Sequence, residues 1–225
     1  MTIEEFIDHI FNHPVDGVPW FRRTKHNDFI PGVNPTQLAL LLTETYENSG
    51  VLLHPFSDAQ VAQGLQFGFQ LGLNQVVMLN DEVSIENSIH NDVILHATSS
   101  IASLFRQIMA KRCKDMRLAN VSKASIDYNP LNFACYMWWE VTFMSGKPEI
   151  IERTEFDKTV LSTMTEILAI PHAACQESAL HGLGHWKFKY PDRVEDIINR
   201  FLDTSNDISD EIIRYALSAI KGTIN

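Results

Sequence analysis

The sequence predicts an all-α fold, built as an irregular stack of antiparallel helix pairs in an α–α superhelix. Three observations point there. Apolar residues recur at three- and four-residue spacing along most of the 225 residues. These stretches begin at capping residues. No hairpin or paired-strand pattern competes, and Val76-Val77-Met78-Leu79 is the only short run with strand character. The capped segments number about nine. They are expected to form one domain over residues 1–225: an N-terminal helix and irregular arm (1–35), a helical body (36–169) and a C-terminal region (170–225).

The elements follow in order. Thr2-x-x-Glu5 is a capping box, and Ile3, Phe6, Ile7 and Ile10 follow at helical spacing until His13-Pro14. The proline-rich stretch from 14 to 34 reads as a long connection pinned by Trp20 and Phe21. Asn34 caps the next helix with Pro35 at its first position, and Ser49-Gly50 ends it. Ser57-x-x-Gln60 opens a helix carrying Gly64, Gly68 and Gly72, a row that suits close helix packing. Ser84 to Cys113 is the longest apolar stripe, with His96 beside it. Asp115 to Asn129 has no clear period and reads as loop.

Asn129-Pro130 opens an apolar helix containing Trp138 and Trp139. Glu140 ends that block, and a carboxylate there is exposed at the helix edge, paired, or functional. Thr154 to Ala169 is amphipathic. Pro171 then starts a helix through His172, Cys175, Glu177, His181, His185 and Trp186. The next helix is expected to be capped by Asp192, with Val194, Ile197, Ile198 and Phe201 inward. Ser209 caps the last one, and Gly222 closes it.

Composition narrows the function. The net charge of −10 disfavours nucleic acid as a partner. It suits either solubility or a basic protein partner. The basic residues gather between Arg106 and Lys123, which leaves the rest of the chain more acidic still. No run of about 18 apolar residues occurs, so no membrane span and cytoplasmic residence are expected. Cys113, Cys135 and Cys175 form no CxxC and read as buried thiols.

The stretch Ser178-Ala179-Leu180-x-Gly182-Leu183-Gly184, the segment Val194 to Leu202, and Ile213-x-Tyr215-Ala216-x-x-Ala219-Ile220 together resemble a HEAT-like (armadillo-type) repeat over about residues 172–222. That resemblance implies stacked helix pairs and protein binding as the commonest use. It brings no catalytic residue with it.

Three functional readings follow. The first is a non-catalytic protein-binding scaffold, an acidic inhibitor or immunity-type protein against a basic partner. Glu177, His181, His185, Trp186, Glu195 and Asp196 would form its contact surface, with no cofactor. The second is a metal-dependent or hydrolytic enzyme. Glu177, His181 and His185 recur every four residues, a spacing at which two histidines can chelate one zinc ion. The third is a small-ligand pocket lined by Trp138, Trp139 and His96. Cys175 near the start of its helix, with His172 three residues before it, is a weaker candidate nucleophile.

Overall fold

The computed structural model describes residues 1–22, 33–67, 88–125, 128–142, 145–205 and 207–224. The described residues form helices joined by turns, with no strand among them. The chain divides into two compact units, Met1–Leu104 and Phe105–Asn225.

The first unit holds α1 (Ile3–Phe11), α2 (Pro35–Glu47), α3 (Ser49–Leu52), α4 (Asp58–Phe67) and α5 (Ser88–Leu104). Both sides of the Thr2–Glu5 capping box are formed. Asn34 accepts from the Gln37 amide, and Ser57 and Gln60 cap each other. These contacts satisfy backbone N–H groups that the first helical turn leaves without partners. α2 packs on α5, and α1 packs on α4 and α2. Phe6, Ile10, Phe11, Leu38, Leu42, Tyr46 and Leu65 are buried in this unit. A β-carbon on Gly64 would come within 2.3 Å of the Phe11 ring, so α1 and α4 approach too closely for any larger residue there. Gly68, Gly72 and the run Val76 to Leu79 lie outside the described residues. His96, expected beside the core, is 61% exposed at its side chain and reaches Glu47 at 3.1 Å.

The second unit starts with a wide π turn at Phe105–Met109 and the short α6 (Ala110–Arg112). It continues through α7 (Pro130–Tyr136), α8 (Trp138–Thr142), α9 (Thr154–Leu168), α10 (Ala173–Trp186), α11 (Pro191–Thr204) and α12 (Asp210–Ile220). The apolar block expected as one helix is two, because Met137 interrupts it. Pro171 lies before its helix rather than in it, and His172 is the cap. Asp192 is not a cap either: Pro191 takes the first helical position, which its fixed φ suits, and Tyr190 precedes it.

α10 is the hub. It packs on α7, α8, α9, α11 and α12. Its small residues explain how. A β-carbon on Gly182 would lie 2.6 Å from Trp139 Cγ and 2.7 Å from Met164 Sδ; one on Gly184 would meet Ile224 at 2.7 Å. Ser178 donates its hydroxyl proton to the Cys135 carbonyl. A helix buried on so many sides must hold its polar side chains against partners inside the protein. The site grows from that requirement.

Candidate functional site

Glu177, His181 and His185 sit one turn apart on α10, but each four-residue step rotates about 40° around a helix. The three side chains therefore do not share one direction. Glu177 is 1% exposed and points to the segment after α6. Its Oε1 accepts from Arg117 Nε at 2.6 Å and its Oε2 from the Leu118 amide at 2.6 Å. Asn132 on α7 fixes that segment, accepting from the Lys114 amide and donating to the Lys114 carbonyl, each at 2.9 Å. Glu177 is thus spent on an internal ion pair. Burial pushes its carboxyl above the usual range, against the pull of the Leu118 N–H and Arg117.

The carboxylate beside the two histidines is Glu140 on α8. Its Oε2 lies 3.4 Å from His181 Nε2. His185 Nε2 lies 3.2 Å from the same His181 nitrogen. The ligand atoms of Glu140, His181 and His185 all fall within 4.8 Å of one another. His181 is 4% exposed, while Glu140 and His185 are half-buried at the rim.

The other side of His181 is held as firmly. Its Nδ1 is 2.8 Å from the Tyr215 hydroxyl on α12. The Tyr136 ring lies over its face at 4.3 Å between centroids. The Arg117 guanidinium covers the Tyr215 ring at 4.3 Å, which ties this pair back to Glu177. Burial keeps both imidazoles neutral. His181 is lowered to about 4 by burial and then by the neighbouring His185, with Glu140 opposing. His185 is lowered by burial, again against Glu140.

Neutral imidazoles and a carboxylate make an acceptor-rich cluster. One shared proton between the two Nε2 atoms leaves the carboxylate facing a nitrogen lone pair. A divalent cation would satisfy all three donors together. Zinc bonds of about 2.0–2.1 Å in a tetrahedron place neighbouring ligand atoms about 3.3 Å apart. The observed 3.2 and 3.4 Å edges match that spacing.

The remaining sequence candidates separate. Trp186 is fully buried and stacks on Tyr190 at 5.8 Å, so it is core and no contact residue. Glu195 is exposed and pairs with Lys187 at 2.8 Å; Asp196 is exposed beside it on α11. Trp138 and Trp139 are fully buried in packing, and His96 is exposed. Cys175 and His172 occupy the opposite end of α10 from His185. Tyr215 and Tyr136 carried no sequence signal for this role beyond their helical positions. Glu140 carried one, as a carboxylate closing an apolar block. No family model, curated protein or solved structure matches the chain.

Proposed function

We propose that this protein is a metal-binding helical protein that holds one divalent ion of the zinc type on Glu140, His181 and His185. The two contacts at tetrahedral-edge spacing, with all three donors within 4.8 Å of one another, carry the reading. The Tyr215 contact to His181 Nδ1 is the outer partner that a ligating histidine ordinarily has. Three protein ligands leave one position free, and the half-buried rim of Glu140 and His185 faces solvent there. Zinc sites of that composition lower the pKa of a bound water towards neutrality and serve hydrolytic chemistry. The reading replaces Glu177 with Glu140 in the ligand set expected from spacing alone.

The experiment is metal loading of the chelator-treated protein followed by dialysis and elemental analysis. About one zinc per chain is expected from a three-ligand site. Uptake should disappear in His181→Ala/His185→Ala and weaken strongly in Glu140→Gln, while Glu177→Gln retains it. No uptake by the folded protein at micromolar zinc, or uptake unchanged in Glu140→Gln, overturns the reading.

Protein binding is a second reading, supported by a separate surface. Phe188 is 78% exposed just after α10, and Asp192, Glu195, Asp196 and Asp203 are exposed along α11. An aromatic anchor with an acidic rim suits a basic protein partner. It agrees with the HEAT-like resemblance of this region.

A further inference from the structure

The Tyr215 hydroxyl that reaches His181 Nδ1 at 2.8 Å is itself held in place. Tyr215 is 6% exposed on α12, and the Arg117 guanidinium lies over its ring, 4.3 Å from the centroid. Three hydrogen bonds fix the segment that carries Arg117. Glu177 Oε1 accepts from Arg117 Nε at 2.6 Å, and Glu177 Oε2 accepts from the Leu118 amide, also at 2.6 Å. Asn120 Nδ2 donates to Glu211 Oε2 at 2.7 Å, which joins the same segment to the first turn of α12. The cation is therefore anchored on α10 through Glu177, and the ring beneath it belongs to the helix that Asn120 holds.

We propose that Arg117 is a positioning residue for the metal site, acting through Tyr215. The inference rests on the metal reading of Glu140, His181 and His185. Arg117 contacts Glu177 and the Tyr215 ring, so its influence on a bound ion passes through the Tyr215 hydroxyl.

A phenol ring pivots about its β-carbon, and a small swing moves the hydroxyl, at the far end, the most. A hydrogen bond weakens steeply as its angle opens. A cation over the ring face opposes that swing, and the attraction grows where water is largely excluded. The Arg117 side chain is 22% exposed. Guanidinium suits the task better than ammonium: it is planar and carries several donors, so one group can donate to Glu177 and still stack on the ring. Lysine keeps a charge for Glu177 but loses the stack. The outer partner of a ligating histidine orients its imidazole. A swing of Tyr215 is thus felt at His181 Nε2, which has Glu140 and His185 at 3.4 and 3.2 Å. The competing explanation is that Arg117 serves only to neutralise the buried Glu177.

A double-mutant cycle on zinc affinity separates the two. Affinity is measured by chelator competition in the chelator-treated full chain, after each variant shows a helical spectrum and a cooperative urea transition. Arg117→Lys should bind zinc roughly three- to tenfold more weakly, short of the 10–100-fold that loss of an outer partner costs. Tyr215→Phe keeps the ring, and hence the stack, but has no hydroxyl to position. In that background Arg117→Lys should cause no further loss. Should Arg117→Lys not fold, Arg117→Met combined with Glu177→Gln removes both charges and leaves neither buried alone. Its affinity should fall by the same factor relative to Glu177→Gln, again only while the Tyr215 hydroxyl is present. Equal losses with and without the hydroxyl, or no loss in either background, overturn the inference and leave Arg117 as the counter-ion of Glu177. A parent chain that takes up no zinc overturns the metal reading itself, and the inference with it.

Discussion

His181 Nδ1 lies 2.8 Å from the hydroxyl of Tyr215, which reaches it from the last helix. In the tautomer that donates this proton to Tyr215, His181 Nε2 presents its lone pair to Glu140 and His185. That tautomer is the metal-ready form of the ring. Tyr215→Phe should lower zinc affinity by about 10–100-fold, the usual cost of losing such an outer partner. Stability should fall by only about 1 kcal/mol, because the ring and its packing remain. Competition titration against a chelator measures the first, and urea unfolding of the metal-free protein the second. An unchanged affinity would separate Tyr215 from the site.

Glu177 should behave as a structural residue. Its carboxylate joins the Arg117 guanidinium and the Leu118 amide to the middle of α10. Glu177→Ala strands both donors and should cost about 3–5 kcal/mol, the range for breaking a buried pair. Glu177→Gln keeps one acceptor oxygen and nearly the same volume, so its loss should be smaller. Denaturant unfolding of the two variants against the parent checks the order. Equal stability of all three would show that the pair contributes nothing to folding.

This contrast marks what the sequence could show. Caps and apolar stripes are local, so Thr2–Glu5, Asn34, Ser57–Gln60 and Ser209 were legible as helix starts. The small residues of α10 were legible as a sign of close packing, and Trp139 and Met164 fill the space at Gly182. Four-residue spacing also suggested Glu177, His181 and His185 as one set. It could not show that Arg117, 60 positions earlier, would draw the acid away. Nor could it show that α8 would bring Glu140 to the histidines, since that depends on how helices distant in sequence pack. The interruption at Met137 has no sequence signal either, because the apolar run continues through it.

A pH effect is expected at Tyr190. Its hydroxyl donates to Asp157 Oδ2 at 2.8 Å, and Asp157 is 1% exposed. Burial first, and then the Asp157 carboxylate, push the Tyr190 phenol up to about 12. An acid whose pKa is raised by folding stabilises the folded state below its unfolded pKa, about 10 for tyrosine. That contribution is lost as pH rises from about 10 to about 12. Tyr190→Phe should therefore be less stable than the parent at neutral pH, by roughly 1–3 kcal/mol for a lost bond to a charged group. The gap should narrow through the alkaline window. Unfolding curves at several pH values decide it, and a gap independent of pH would mean that Tyr190 contributes only its ring.

The last prediction concerns the acidic face of α11. Asp192, Glu195 and Asp196 lie in the first turns of that helix, exposed, with Lys187 held against Glu195. If this face meets a basic protein, exposed charges act at long range and speed encounter more than they strengthen the final contact. Screening at physiological salt shortens their reach to about 8 Å. Association with a partner captured from the source cells should therefore slow steeply with added salt. Reversal of Glu195 and Asp196 to lysine should lower the on-rate by at least about tenfold at low salt, within the span that steering provides. It should cost little stability. The negative charges favour the start of the helix by a few tenths of a kcal/mol each, and an exposed pair such as Lys187–Glu195 contributes at most about 1 kcal/mol. Stopped-flow binding at two salt concentrations, beside urea unfolding of the same variant, separates the two effects. A salt-independent on-rate in the parent, or full binding by the reversed variant, would remove α11 from the interface and leave its acidity to solubility.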